Sequence, residues 1–436
     1  MAEDDIDTDF NTDFEVGFSS VPDSLLDQIT VEEITLGESL LTPGLQTSVR
    51  VHSYFHYLPV KNLDLFKNTI MSIRIDKAIL AKFNIPRSLD IIATTYRLDH
   101  RRMINNVNEE FILHGCHQTL LDDAATLVSK KWKCTRPSSV VDEVLASCAG
   151  AGVRDIESAD PARDYIAENI RPFQVVSQQA NVALAGGNDP SFLHYMTYQN
   201  LGTHHFRSLK KLSQQSPVAR YEFQEAGAIR GHAYPYSILT HSFPCDFDLL
   251  SDILNGVGTN GKDLNSLFTI NPVMKMFNLF GSETFGCGIG SGLPKIAMSN
   301  MGSAQQQNMC PDYSHLYIHK RQAKMALLDQ DKIALRIMVP WNPMLNAGKV
   351  IELVLPNKND PNGTTLNYGS GTYLIASLKH NIRRRQPATI TMDCVSTTVG
   401  AGEVWHEYFF TIYYCNPFYK GDCNGKKGFY LYLVWS

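Results

Sequence analysis

Apolar positions change their period several times along this chain, and each change marks an element. Pro172 suits the first turn of a helix, and Phe173, Val176, Ala180 and Ala183 then recur at near-helical spacing until Gly186-Gly187 ends the run. Phe192 to Gln199, rich in aromatic and small apolar residues, predicts a strand. Asn200-Leu201-Gly202 supplies turn chemistry, and His204 to Leu209 the return strand. The span from Arg171 to Leu209 thus reads as helix, turn and hairpin, none of which requires a catalytic residue type.

Other stretches alternate with a period of two. Ser39-Leu40-Leu41-Thr42-Pro43-Gly44-Leu45 leads through a Pro-Gly turn into Thr47, Val49 and Val51, which alternate as a strand does. Lys61 to Phe66 and Asp76 to Phe83 read as short helical elements between strands. From Phe111 to Ala146 the order is strand, helix, strand, helix: Phe111 to Leu113, Gln118 to Thr126, Leu127 to Trp132, then Ser138 as N-cap before Val140, Val141, Val144 and Leu145. Farther on, Ile333, Leu335, Ile337 and Val339 alternate, Asn346-Ala347-Gly348 turns, and Ile351, Leu353 and Leu355 alternate again. Tyr373 to Ile375 and Ile390, Met392 and Cys394 would complete a small antiparallel barrel.

In that order these segments resemble the central hub protein of contractile-tailed phage baseplates, whose fold is shared by the N-terminal hub part of type VI secretion spike proteins. Arg171-Pro172-Phe173 matches the family's helix start, Ser191-Phe192-Leu193-His194-Tyr195 a strand of the type SFLFYE, and Phe206-Arg207-Ser208-Leu209 its return strand FRSL. The segment from Val128 to Leu145 is similar to the family's VSKSFKGKKPSDIVKDIL type, and Gly371 to Ile375 to its GTYLI strand. Met196-Thr197 departs from the pattern, standing where the family often has an acidic or polar residue.

The resemblance implies a β-rich α+β chain with two small antiparallel β-barrels of tail-tube type, a small mixed α/β domain and an insertion domain. Residues 1–29 would be an acidic arm without order of its own, 30–115 the first barrel, and 116–189 the small mixed domain. Residues 190–212 with 331–398 would form a discontinuous second barrel, 213–330 the insertion, and 399–436 an aromatic-rich C-terminal segment. The implied role is structural. Three subunits, each giving two similar barrels, would form a ring of pseudo-sixfold symmetry that joins the hexameric tail tube to the trimeric central spike. The expected partners are the other copies of a homotrimer, the central spike protein, a tail tube or tube-initiator protein, the tape-measure protein and baseplate wedge proteins. DNA would transit the enclosed channel without sequence-specific binding, and no membrane is involved. The expected place is the virion's tail baseplate, after assembly in the host bacterial cytoplasm. Neither enzymatic activity nor a cofactor is expected.

Composition fits a large assembly subunit. A chain of 436 residues exceeds the length at which single cores stop growing, so several domains are expected. No stretch reaches the ~18 apolar residues of a membrane span, and the N-terminus lacks the basic and apolar regions of a signal peptide. Nine scattered cysteines without a Cys-x-x-Cys pair read as reduced thiols that fill cores. Charge is uneven. The first 49 residues hold twelve Asp or Glu and no Lys or Arg; taking −12 from the chain's −5 leaves +7 on the remainder. With little apolar content, Met1 to Ser20 is expected to be disordered, as a solvated terminus or an arm for a basic neighbour. The densest basic cluster, Arg383-Arg384-Arg385 beside His380, lies between two predicted strands and reads as a hairpin tip or a rim of salt bridges.

Candidate chemistry fails its own spacing rules. Gly286 to Gly292 does not satisfy Gly-x-Gly-x-x-Gly, and Leu293-Pro294 follows where a helix N-terminus should receive a phosphate. His315 and His319 share a helical face but lack the zincin glutamate and a third ligand. His114-Gly115-Cys116-His117 packs ligand types too tightly for an ordinary zinc site. Asp246, Asp248 and Asp252 lack the glycine and terminal glutamate of a calcium loop.

The final segment carries two aromatic runs that must pair within the molecule or with a partner. Trp405, Tyr408, Phe410, Tyr413, Phe429 and Trp435 are therefore expected at a partner interface, and deleting Gly402 to Ser436 should leave a folded body that no longer assembles. Two alternatives stay open: a tail-associated cell-wall hydrolase with its catalytic domain in the insertion, and a receptor-binding tail tip protein. The first calls for a catalytic carboxylate in 213–330. The second calls for exposed sugar-binding loops and a repetitive fibre, and no internal repeat is visible.

Overall fold

The structure is a computed structural model. It describes residues 12–53, 64–105, 108–147, 152–223, 235–244, 266–271, 276–281, 295–298, 314–326, 328, 335–355, 369–384 and 386–396.

The N-terminal strands are β1 (Asp13–Phe18), β2 (Ile29–Ser39), β3 (Gln46–Ser53), β4 (Ile70–Asp76), β5 (Ser88–Met103) and β6 (Glu109–Cys116). Alternation decides which side chains they bury. Ile34 and Leu36 of β2, Val49 and Val51 of β3, Met71, Ile73 and Ile75 of β4, and Phe111 and Leu113 of β6 are almost fully buried around Phe66. Each such side chain contributes about 1.5–3 kcal/mol. The strands pair antiparallel in the order β1-β4-β5-β6-β3-β2. The expected lack of order over 1–29 is corrected in part. β1 pairs with β4 along its whole length, because Phe14, Val16 and Phe18 make an inward face that outweighs the acidic excess. The Arg384 guanidinium lies 5.0 Å from the Phe14 ring.

The middle of the chain holds β7 (Val128–Thr135), β8 (Arg154–Ile156), β9 (Arg163–Ile170), β10 (Phe192–Thr197) and β11 (Thr203–Ser208), with helices over Gln118–Ala125, Pro137–Ser147 and Pro172–Val182. β7 and β9 form a two-stranded ribbon. Trp132 and Tyr165 stack on its inner side against Val140, Val144, Val175 and Val176 of the helices, a second core. The second of these helices starts at Pro137, two residues earlier than a Ser138 cap allows. Ser138 Oγ instead accepts the Ala159 amide.

The β10–β11 hairpin departs from the layout expected for 190–212. It forms a sheet with β8 and not with the strands of 331–398. Its burial explains this. Every residue of β10 is buried, with Phe192 in the second core and Leu193 and Tyr195 in the first, so the hairpin is the layer between them.

The rest comprises β12 (Ala219–Phe223), β13 (Ser237–Ile238), β14 (Thr240–Ser242), β15 (Ser266–Asn271), β16 (Met276–Gly281), β17 (Lys295–Met298), β18 (Leu335–Pro340), β19 (Val350–Val354), β20 (Gly371–Arg383) and β21 (Thr389–Val395). β15–β17 form a separate small sheet within 213–330. The expected boundary at 213 does not hold for β12, β13 and β14, which join the C-terminal strands: β12 runs parallel to β19 and β13, and β14 pairs with β18. β20 is the shared member. Its first residues pair with β19 and its later ones with β2 along one edge, while β21 takes the other. Both strand sets therefore belong to one 13-stranded sheet. Among the described residues no helix is long and apolar enough to cross a membrane.

Candidate functional site

The strand sets and the hairpin meet at one carboxylate. Ile34 and Leu36 set the inward register of β2, Leu40 just beyond its end continues it, and Glu38 falls in it, 3% exposed. Glu38 Oε1 accepts the Tyr198 amide at 2.6 Å and Oε2 the Ala347 amide at 2.8 Å, with Asn346 Nδ2 at 3.4 Å from Oε1. Burial pushes this acid up to about 7, and the three donors only partly oppose it. The Tyr198 hydroxyl donates to the Gln46 carbonyl at 2.6 Å and lies 3.2 Å from Thr47 Oγ1. One residue after the hairpin strand thus grips β2 and β3 together.

The 342–348 turn closes the other side. Gly348 has φ +84°, and a Cβ there would stand 2.6 Å from the Tyr195 hydroxyl, so only glycine fits. Its amide donates to Ile375 on β20 at 2.9 Å. The Tyr195 ring stacks on His205 at 4.8 Å, and His205 Nδ1 lies 2.9 Å from Asp155. Burial raises the Asp155 carboxyl, but Arg207 and His205 together hold it below the usual carboxylate range.

Behind the hairpin runs a line of imidazoles. His194 Nε2 lies 3.3 Å from His204 Nδ1, and His204 Nε2 lies 3.2 Å from Thr119 Oγ1. Thr119 Oγ1 lies 2.9 Å from His117 Nδ1, and His117 Nε2 lies 3.1 Å from the Leu201 carbonyl. His117 also caps the Gln118–Ala125 helix through the Thr119 amide. The Ile318–Ala326 helix is bolted on nearby: Arg321 donates to Asn181 Oδ1 and to the Pro190 and Phe192 carbonyls, and Lys324 pairs with Asp189. Burial lowers the Arg321 guanidinium to about 10.

Among the described residues two surfaces stand out as open to other molecules. The long β5–β6 hairpin pairs Arg101 with Glu109 and Arg102 with Glu110 along its length and exposes Met103 and Ile104 near its tip. A cleft of about 490 Å³ lies between the strand sets, lined by Leu89, Asn200, Val218, Met344 and Lys349 among others. Neither brings an acid, base and nucleophile together.

Of the residues singled out in the sequence, His114 is braced between Ser48 and Asp99 at 3.1 and 3.0 Å, and Cys116 is a buried free thiol. Cys394 is free as well, whereas Cys134 is disulfide-bonded, which corrects the expectation of reduced thiols at that position. Arg383 pairs with Glu33, and Arg384 donates to the Val31 carbonyl, so both serve the β2–β20 seam. Trp405, Tyr408, Phe410, Tyr413, Phe429 and Trp435 lie outside the described residues, as do Gly286 to Gly292, Asp246, Asp248 and Asp252, and the side chains of His315 and His319. Among the described residues no group of three His, Cys, Asp or Glu could hold a metal ion. Sequence reasoning missed Glu38, although its position in the apolar register of β2 marks it as a buried acid. It also missed the imidazole line.

No family model matches the chain, and no curated protein matches it in sequence. Its fold is similar to the tail protein from Neisseria meningitidis MC58, with a TM-score of 0.53 and 11% identity over 89% of this chain and 97% of that one. It is similar also to the 43 kDa tail protein of prophage MuSo2 from Shewanella oneidensis, with a TM-score of 0.51 and 8% identity over 85% of this chain and 97% of that one. These similarities show the fold: a β-rich phage tail protein fold with a minority of helices, consistent with the hub resemblance read from the sequence.

Proposed function

We propose that this chain is a structural subunit of a phage tail, the baseplate hub, and not an enzyme. The observation that supports this most is the pair of strand sets seamed at β2–β20, in a fold that spans nearly the whole length of two phage tail proteins. In this reading each set is one tube-type barrel. Three copies then present six such units to a hexameric tail tube and threefold symmetry to a trimeric spike. The interior joint at Glu38 suits that task, because two units that must match neighbouring positions in a ring need a fixed angle between them. The tape-measure protein and DNA pass through the channel, whose lining is neutral or acidic. The aromatic segment 399–436 faces a partner, and the hub sits in the virion's baseplate. The mass of the full chain in solution, by native mass spectrometry, tests the reading. A trimer that captures the cognate spike protein supports it, and a monomer that ignores the spike and cleaves peptidoglycan overturns it.

A further inference from the structure

A hydrogen bond chain has a direction, and here one end fixes it. The Leu201 carbonyl can only accept, so His117 Nε2 carries the proton between them and His117 Nδ1 is an acceptor. That nitrogen also faces the Thr119 amide, which can only donate. The Thr119 hydroxyl then donates to His117 Nδ1 and accepts from His204 Nε2. His204 Nδ1 is left to accept from His194 Nε2. All three imidazoles are neutral, each with its proton on Nε2, and the line runs from β10 through β11 to the Gln118–Ala125 helix and back to the 199–201 turn. That turn needs holding: Asn200 and Leu201 both have positive φ, and the His117 ring fills the space where a Cβ on Gly202 would sit.

We propose that the His194–His204 pair is an acid-operated latch, which holds the β10–β11 hairpin against its two helices when neutral and releases it when the pair takes up a proton. While His194 keeps its proton on Nε2, a proton added at His204 Nδ1 puts two N–H groups face to face at a spacing meant for one hydrogen bond. A proton at His117 Nδ1 would face the Thr119 amide as well, although the Thr119 hydroxyl can turn to Met196 Sδ, 3.7 Å away. Nothing around the pair compensates the added charge. From the Pro172–Val182 helix it meets the Phe173 ring, at 5.1 Å from His194 and 5.7 Å from His204. Its own hairpin contributes His205, β8 contributes Arg154, and the Gln118–Ala125 helix is preceded by His117; each of these opposes a second positive charge. The carboxylates on neighbouring elements are engaged elsewhere, Asp155 by His205 and Arg207, and Asp123 by the Phe173 amide with Arg171 beside it. Asp122 faces His117 instead.

The sign follows from the burial of the pair. Burial and the neighbouring imidazoles hold His204 at about 3 and His194 well below its ordinary value. Groups depressed in the folded state stabilise it above their unfolded value, about 6.5, and lose that contribution as pH falls below it. The latch is closed near neutrality and weakens under mild acid. The hairpin then frees Tyr198, the residue that grips Glu38.

Amide hydrogen exchange of the full chain at about pH 7.5 and about pH 5.5, corrected for intrinsic rates, tests this. Protection over 193–197 and 203–208 should drop at the lower pH by up to about a hundredfold, about tenfold for each of the two imidazoles, while β3 and β6 keep theirs. In His204→Gln that selective drop should shrink to the part His194 alone carries, about a tenth of the effect in the unaltered chain. Equal protection at both pH values, a drop shared by β3 and β6, or the same drop in His204→Gln would overturn the latch. Nitrogen-15 spectra of the imidazoles in the unaltered protein give a second reading that needs no variant: Nε2–H tautomers at His194 and His204 near neutrality are expected, and an imidazolium or an Nδ1–H tautomer at either sinks the proposal.

Discussion

The Tyr198 amide donates to Glu38 Oε1 at 2.6 Å across 160 residues of chain, so the end of the hairpin is fixed to β2 by one acid. Glu38→Ala strips the acceptor from this amide and from that of Ala347, both in buried surroundings. Stability should fall by about 3 kcal/mol, the cost of two orphaned donors, measured as the shift in urea midpoint.

The same residue sets a pH dependence opposite to that of the histidines. Its folded value of about 7 lies above the ordinary 4.5, so its contribution is complete below 4.5 and lost as pH rises through 7. Between about pH 6.5 and pH 8, where the histidines are mostly neutral in both states, Glu38 should lower stability by about 1 kcal/mol, the last part of a decline that begins near 4.5. Glu38→Gln should be less stable throughout, and flatter across that window in calorimetric melting.

Gly348 and Gly186 make a matched pair of tests. Alanine at 348 must adopt φ +84° and collide with the Tyr195 hydroxyl, whereas at 186 a Cβ meets nothing within 4 Å. Gly348→Ala should cost about 2–4 kcal/mol, and Gly186→Ala should change the melting point little.

His380 is fully buried on β20, with both ring nitrogens lacking a hydrogen bond among the described residues, and burial lowers it to about 3. His380→Leu should stabilise the protein by about 1–2 kcal/mol at neutral pH, because a polar group leaves an apolar site. It should also soften the loss of stability below pH 6.5, since a depressed group withdraws its contribution there.

Removing 402–436 should leave the melting of the described body unchanged while abolishing capture of the spike or tube partner. A truncated chain that still builds infectious tails would defeat the interface assigned to Trp405, Tyr408, Phe410, Tyr413, Phe429 and Trp435.

Alternation made most of the long strands legible in the sequence, along with the Pro172 helix and the Phe192 hairpin, because local periodicity and turn residues determine them. Partnership was not legible. β10 and β11 have the pattern of barrel strands, yet they pair with three residues at 154–156, and only burial on both faces of β10 reveals why. β12 and β14 are five and three residues long and pair with β19 and β18 more than ninety residues away, beyond the reach of any periodicity. In β1, counting charge hid an alternation of three apolar residues. Glu38 could have been found by parity alone, whereas the imidazole line exists only because a strand pair, a helix cap and a tight turn converge.

Because β20 gives one edge first to β19 and then to β2, force applied to either half of the molecule crosses to the other along a row of amide–carbonyl rungs stressed in shear. Such a seam has no swivel. In the proposed baseplate role, thrust that entered one half of the molecule would reach the other with its direction kept, as through a rivet and unlike a joint on a loop.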